Sequence, residues 1–304
     1  MKTLDIIVPV YNEEDCIDKT LERLLNLKET FRSKLKVNFI FVNDGSKDSS
    51  AQILAKYAKK DKSIKLINFS RNFGHQMALT AGLDYSKGDY IAIIDADLQD
   101  PPELIYNMYE KCLEGYDIVY GKRLKRKNET VFKKLTAWGF YRTLKSMCNL
   151  DIPTDTGDFR FITKDVRDAF NSMREKHRFI RGMIPWTGFK SAPLPYNRDE
   201  RAAGVTKYPL SKMLKLALDG IFSFSFKPVE MLFTLSTLLF IVSLIVLAGA
   251  FFFEFEEEWI ISFVLVFLSS VHMLAFGILG QYIGRIYDET RNRPLYIVKD
   301  TINF

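Results

Sequence analysis

Two long runs without a charged residue, 231–253 and 259–284, constrain this chain more than any other feature. At 1.5 Å per residue the first would extend about 34 Å as a helix, enough for a bilayer core of about 30 Å. Core helices of soluble proteins rarely go uncharged all round, so runs of this length point to membrane spans. Between them Glu254, Glu256, Glu257 and Glu258 form a short acidic turn. Lys207, Lys212, Lys215 and Lys227 precede the first run, and Arg285, Arg291 and Arg293 follow the second. Lys and Arg favour the cytosolic side, which places both ends in the cytosol and the acidic turn outside. Residues 209–228 read as an amphipathic basic helix, with Leu210, Met213, Leu214, Ala217, Leu218 and Ile221 against Lys212 and Lys215. That pattern suits a membrane interface and equally a core-facing helix of a soluble domain; the neighbouring uncharged runs favour the interface. The expected division is a soluble domain over 1–208, an interfacial helix over 209–228, two spans within 229–284 and a cytosolic tail over 285–304.

The mean hydropathy of −0.05 averages these runs with a more polar N-terminal part. Across 304 residues, 47% apolar and 26% charged content excludes a disordered or collagen-like chain. Cys16, Cys112 and Cys148 are odd in number and far apart, which gives neither a disulfide framework nor paired zinc-site spacing and suggests a reducing compartment. The first ten residues include Asp5 and Pro9 and lack a basic stretch followed by a long apolar one, so no cleavable signal is expected. No nucleic-acid partner is expected.

From residue 4 to about 120, short apolar runs alternate with segments of helical period, the pattern of a parallel sheet covered by helices on both faces. Beyond it the reading gives a helix around 132–147, a short strand at 159–163, a helix near 164–173 and a strand-like 189–196. Ligands of such sheets bind past the carboxyl ends of the strands. Neither G-x-G-x-x-G after the first strand nor G-x-x-x-x-G-K-[ST] occurs, which disfavours a dinucleotide dehydrogenase and a P-loop NTPase.

The strand end Asp95-Ala96-Asp97-Leu98-Gln99-Asp100 carries the strongest chemical signal. In extended chain, residues i and i+2 project to one side, so Asp95 and Asp97 would face one point with Gln99 adding an oxygen. Hard oxygen donors suit Mg²⁺ or Mn²⁺, and Mg²⁺ is typically held by one or two carboxylates plus substrate phosphates. The bland alternative for an isolated Asp-x-Asp is a solvated acidic loop; its place at a sheet edge favours the site.

Taken together, Val8-Pro9-Val10-Tyr11-Asn12-Glu13-Glu14, Asn43-Asp44-Gly45-Ser46, the Asp95–Asp100 stretch and Arg201-Ala202-Ala203-Gly204-Val205-Thr206-Lys207-Tyr208 resemble the family-2 inverting glycosyltransferases of GT-A fold. More narrowly, the chain resembles the polyprenyl-phosphate glycosyltransferases related to dolichol-phosphate mannose synthase. Gly280-Gln281-Tyr282-Ile283-Gly284-Arg285 and Arg293-Pro294-Leu295-Tyr296 are similar to the bacterial two-span, GtrB-like branch. The resemblance covers nearly the whole chain. It implies an α/β, Rossmann-like GT-A catalytic domain with a C-terminal two-helix transmembrane anchor in the cell membrane and the catalytic domain cytosolic.

The resemblance also implies the site. Pro9, Tyr11 and Glu13 would line the nucleoside pocket, Asp44 would contact base or ribose, and Asp95 would lie by the ribose and diphosphate. Asp95, Asp97 and Gln99 would hold Mg²⁺ or Mn²⁺. Arg123, Arg201 and Lys207 would neutralise diphosphate or lipid phosphate, a task that suits the Arg fork. Asp158 and Arg160 match a segment near the acceptor, with a salt bridge between the two as the equal alternative. Asp97, Asp158, Arg201 and Lys207 are the expected catalytic group. For His75 a structural role is favoured over substrate contact, and for His272 a helix–helix hydrogen bond.

The implied reaction moves a sugar from a nucleotide sugar, UDP-glucose ahead of UDP-N-acetylglucosamine and GDP-mannose, to polyprenyl (undecaprenyl) phosphate with inversion. A phosphate monoester has its second pKa near 6, so the acceptor is mostly dianionic at neutral pH and a dedicated base is dispensable. The resemblance extends to a homo-oligomer and admits a tetramer. A processive polysaccharide synthase is disfavoured because its Gln-x-x-Arg-Trp motif is absent. A glycosidase would leave the basic groups and the spans without a role. An inactive membrane-anchored nucleotide-sugar-binding scaffold is the alternative of another class.

Overall fold

Strand β1 (Thr3–Val10) is buried along all but its first residue, as a strand covered on both faces must be. Its side chains divide by parity. Leu4, Ile6, Val8 and Val10 enter one apolar cluster and Ile7 enters another on the opposite face. The computed structural model describes residues 1–124, 156–198, 225–250 and 257–304.

Helix α1 (Glu14–Phe31) buries Ile17, Leu21 and Leu24, one stripe of a 3.6-residue period. It covers the first face together with α2 (Ser50–Lys60) and α4 (Leu104–Leu113), through Leu54, Ala58, Ile105 and Met108. The other face is covered by α3 (His75–Tyr85), α5 (Lys164–Ser172) and α6 (Ile180–Trp186), through Leu79, Val166, Phe170, Ile180 and Met183. The result is a three-layer α/β/α domain.

Among the described residues eight strands form one sheet, in the order β7 (Ser191–Tyr196), β5 (Ile118–Arg123), β6 (Thr156–Thr163), β4 (Tyr90–Ile93), β1, β2 (Lys36–Asn43), β3 (Ile64–Phe69), β8 (Val298–Ile302). Strands β1, β2, β3 and β4 are parallel, as expected from the alternation with helices. The sheet as a whole is mixed, which corrects the all-parallel expectation. Strand β6 runs antiparallel between β4 and β5, and β7 lies parallel to β5 at the edge. Sequence periodicity reports whether a strand is buried, not which neighbour it pairs with.

Chain direction sets the site. β1, β2 and β3 succeed one another along the sheet, then α3 crosses on the opposite face and delivers β4 to the other side of β1. The carboxyl ends of β1 and β4 therefore flank a topological switch point, where the loops leave in opposite directions and open a crevice.

The C-terminal part forms two long helices in mutual contact, α7 (Lys227–Ala250) and α8 (Glu257–Thr290). Lys227 and Pro228, expected within the interfacial helix, belong to α7; Pro is well tolerated in a first turn. The rest of that expected helix, and the one around 132–147, lie outside the described residues. Helix α8 outlasts its uncharged run, carrying Arg285, Asp288 and Glu289 in its final turns. Within the segment expected as a cytosolic tail, the chain past α8 packs on the catalytic domain. Tyr296 stacks on Phe69 with ring centroids 5.1 Å apart and donates to Asp84 Oδ2 at 2.7 Å. Strand β8 then adds antiparallel to β3 and closes the sheet edge.

Candidate active site

The loops after β1 and β2 are clipped together by short polar side chains. Ser46 Oγ accepts from Asn12 N–H at 3.0 Å, Ser50 Oγ from Glu13 N–H at 3.0 Å, and Asn12 Oδ1 from Lys47 N–H at 2.8 Å. Asn12 takes a left-handed backbone with φ 53°, which Asn tolerates better than most residues. Pro9 is buried within β1 beyond the last β1–β4 pair, Ile7 with Ile93, so its missing N–H interrupts no ladder on that side. Tyr11 and Glu13 are half-buried at the mouth of the crevice, with Glu13 at the start of α1.

Asp44 is buried, and its carboxylate is spent on the turn after β3. Oδ1 accepts from Phe73 N–H at 2.7 Å, while Oδ2 accepts from Gly74 N–H at 3.0 Å and Asn72 Nδ2 at 2.9 Å. Burial pushes its pKa up, with the two backbone donors opposing. Gly45 is required beside it: φ is 66°, and a Cβ there would come within 2.5 Å of the Arg71 carbonyl carbon.

Asp95 and Asp97 are brought together by a turn and not by the pleat of a strand, because β4 ends at Ile93. Leu98 has φ 57°, a strained conformation for a residue with a Cβ, and Gln99 N–H donates back to Asp97 Oδ1 at 3.1 Å. Asp97 is 7% exposed and Gln99 half-buried. Asp95 Oδ1 is buried and makes no hydrogen bond, with His75 Nε2 3.7 Å away. Burial is the main reason that its pKa rises to about 6; Asp158, Asp97 and Asp100 push the same way and His75 opposes. An unsatisfied carboxylate oxygen among other carboxylates fits a hard cation. Among the described residues no group of three His, Cys, Asp or Glu side chains could hold an ion by themselves. The donor set is therefore one that substrate phosphates would complete.

Behind Asp95 lies a cluster that sequence reasoning did not assemble. Asp158, 3% exposed, receives both prongs of Arg181, Nε to Oδ1 at 3.0 Å and Nη2 to Oδ2 at 2.8 Å, and His75 Nε2 lies 3.2 Å from Oδ2. Burial would raise the Asp158 pKa, but Arg181 and His75 together hold it well below the usual carboxylate range. Burial works against charge on His75 too, yet Asp158 and Asp95 leave its pKa above the ordinary value. Asp158 pairs with Arg181 and not with Arg160, the salt bridge weighed as the equal alternative to an acceptor role. Arg160 is buried and donates to the carbonyls of Gly157 at 3.1 Å and Asp158 at 3.3 Å; burial lowers its pKa to about 10.

Arg123 sits at the end of β5, donating to Tyr196 Oη at 3.3 Å, with Nη2 3.6 Å from Asp100 Oδ2. Tyr196 in turn donates to the fully buried Asp100. Burial opposes charge on Arg123, and Asp100 and Tyr196 outweigh it, holding the guanidinium above its ordinary value. A Cβ on Gly157 would lie 2.5 Å from Arg123 Nη2, so a larger residue there would displace the guanidinium. Arg201 and Lys207 lie outside the described residues. Arg181, His75 and Asp100 are the additions to the expected set; a lone Arg within the otherwise buried run 179–184 was the available signal for Arg181.

Residues 5–170 match the family described as Glycosyl transferase family 2. The uncharacterized glycosyltransferase YkcC of Bacillus subtilis (strain 168) is 50% identical over 97% of this chain and 92% of its own. A prophage bactoprenol glucosyl transferase homolog of Escherichia coli (strain K12) is 37% identical over 97% of this chain and 98% of its own. The bactoprenol glucosyl transferase of Shigella phage SfII is 36% identical over 97% of both. In fold, the chain is similar to mannosyl-3-phosphoglycerate synthase from Rubrobacter xylanophilus, with a TM-score of 0.51 at 17% identity over 72% of this chain and 71% of that one. With a carboxylate-lined crevice at the switch point of a mixed α/β sheet and relatives matched nearly end to end, this chain belongs to glycosyl transferase family 2.

Proposed function

We propose that this glycosyltransferase moves a hexose, with UDP-glucose the favoured donor, to polyprenyl (undecaprenyl) phosphate at the cytosolic face of the cell membrane, inverting the anomeric centre. The observation that carries the reading is the Asp95–Asp97 turn at the β1/β4 crevice, with a buried, unsatisfied carboxylate oxygen. The acceptor class is supported by the nearly full-length bactoprenol glucosyl transferase relatives. Membrane attachment is supported by α8, whose stretch Phe267–Thr290 is long and apolar enough to cross a bilayer. We take α7 as its partner span, with the basic flanks cytosolic. The homo-oligomer implied by the resemblance, which admits a tetramer, is carried as part of this proposal.

In this mechanism Asp95, Asp97 and Gln99 would hold Mg²⁺ or Mn²⁺, which supplies countercharge to the departing nucleoside diphosphate. Tyr11, Glu13 and Pro9 border the nucleoside, and Asp44 acts by fixing the Asn72–Gly74 turn beside it. Asp158 is too firmly paired to accept a proton at neutral pH, so it serves as the anchor that orients His75 and Arg181. The dianionic acceptor needs no base; it needs positive groups that offset repulsion between two phosphate-bearing substrates. His75 and Arg123 are described groups of that kind, and Arg201 and Lys207 complete the proposed set. The test is transfer of radiolabelled sugar from a panel of UDP- and GDP-sugars to undecaprenyl phosphate by the purified full chain. One labelled lipid product supports the reading and names the donor; nucleotide-sugar binding without any product favours the inactive scaffold.

A further inference from the structure

A cavity of about 260 Å³ lies where the end of α8 meets the catalytic domain. Lys176, Arg291 and Arg293 line it, and among the described residues none of the three forms an ion pair with a carboxylate. The carboxylates at hand are turned elsewhere: Asp288 Oδ2 lies 3.1 Å from His177 Nε2, and Glu289 Oε1 accepts from the Lys176 backbone N–H at 2.6 Å. The Lys176 ammonium donates to the Arg293 carbonyl and keeps two further protons for another acceptor. The Arg291 guanidinium rests over the Tyr287 ring at 5.1 Å. Asp288 also lines the cavity, its carboxylate engaged by His177, and the remaining walls, Phe73, Met77, Pro294 and Leu295, are apolar.

Three cations against apolar walls suit an anion carried on an apolar chain, at the depth where a membrane-crossing α8 would meet the headgroups. We propose that this cavity binds the phosphate headgroup of an anionic bilayer phospholipid and docks the catalytic domain on the membrane; the inference rests on the membrane placement proposed above. The acceptor phosphate has to reach the Asp95–Asp158 crevice, and none of Asp95, Asp97 or Asp158 lines this cavity. The cavity nevertheless touches the site's supports. Phe73 donates its N–H to Asp44, and the loop that carries Lys176 and His177 leads into α6, whose Arg181 holds Asp158. A bound headgroup would therefore fix two segments that shape the crevice.

The test reconstitutes the full chain in nanodiscs of phosphatidylcholine with or without phosphatidylglycerol and measures retained spin-labelled phosphatidylglycerol, with no donor sugar present. The compared proteins are the wild type, a triple Lys176→Gln, Arg291→Gln, Arg293→Gln variant, the single Arg293→Gln in case the triple does not fold, and a charge control. That control carries Lys56→Gln, Lys59→Gln and Lys60→Gln on the exposed side of α2. Wild type and control are expected to prefer phosphatidylglycerol, and each cavity cation removed is expected to weaken retention about fivefold. Retention unchanged in the cavity variants overturns the proposal. A parallel transfer assay also overturns it if the cavity variants raise KM for polyprenyl phosphate equally in both lipid mixtures, since that assigns the cavity to the acceptor. Because retention is read without sugar transfer, the result stands apart from the identity of the reaction.

Discussion

Asp95 binds a proton more tightly than a carboxylate ordinarily does, which in the proposed reading would couple metal binding to pH. As the proposed ligand, a carboxyl with a pKa of about 6 would have to lose its proton to coordinate, so each ion bound below that value would release one proton. Affinity for Mn²⁺ in the presence of nucleoside diphosphate is expected to rise about tenfold per pH unit up to about 6 and then level off, as read by titration calorimetry. A flat profile would take Asp95 off the metal. The paired Asp158 behaves in the opposite sense. Its pKa is depressed in the fold, so its stabilisation is fully present above the unfolded carboxylate range and is lost as pH falls through the folded value. Removing Arg181 leaves this buried charge short of its main partner. Arg181→Ala is expected to cost about 3 kcal/mol in thermal unfolding at neutral pH, and Arg181→Lys less. Equal stability of Arg181→Ala and wild type would show that the pair is not structural.

At the scale of elements, the close fit of α3 on β1 decides how accurately His75 is presented. A Cβ on Gly82 would lie 2.3 Å from Ile7 Cγ2, so the helix sits as near to the strand as a glycine allows. Gly82→Ala gains about 1 kcal/mol in helix propensity, while overpacking costs roughly 1–3 kcal/mol. The expected net effect is a loss of about 1 kcal/mol, measured by denaturant titration; a more stable variant would show that α3 has room to move. The alternating strands and helices up to β4 were legible because their burial is written in local periodicity. The Asp95–Asp97 pair was legible as a motif, though a turn with a left-handed Leu98 brings it together and not an extended strand. The His75–Asp158–Arg181 cluster was not legible, since its members lie on three elements that only the insertion of β6 beside β4 brings together. Strand β8 was missed for a related reason: Val-Lys-Asp-Thr-Ile is an exposed edge sequence whose pairing with β3 depends on where α8 delivers it.

For the whole molecule, β8 ties the end of the chain back to the catalytic sheet across α7 and α8. Asn68 Nδ2 donates to Asp300 at 2.6 Å, and Asn303 Nδ2 donates to the carbonyls of Ala58 at 2.6 Å and Ile64 at 2.8 Å. Deleting 297–304 would bare the β3 edge, with an expected cost on the order of 3 kcal/mol and a tendency to aggregate. Light scattering and thermal unfolding of the truncated chain would show it, and an unchanged melt would make β8 an ornament of the edge. The central claim is that the Asp95–Asp97 turn holds a divalent ion against the donor diphosphate while a lipid phosphate attacks. Transfer of labelled sugar to undecaprenyl phosphate by wild type and Asp97→Ala, each with Mn²⁺ and with chelator, tests it most directly. The account predicts a lipid-linked product only from wild type with metal, and a folded but nearly inactive variant; full transfer by Asp97→Ala, or by wild type in chelator, would contradict it.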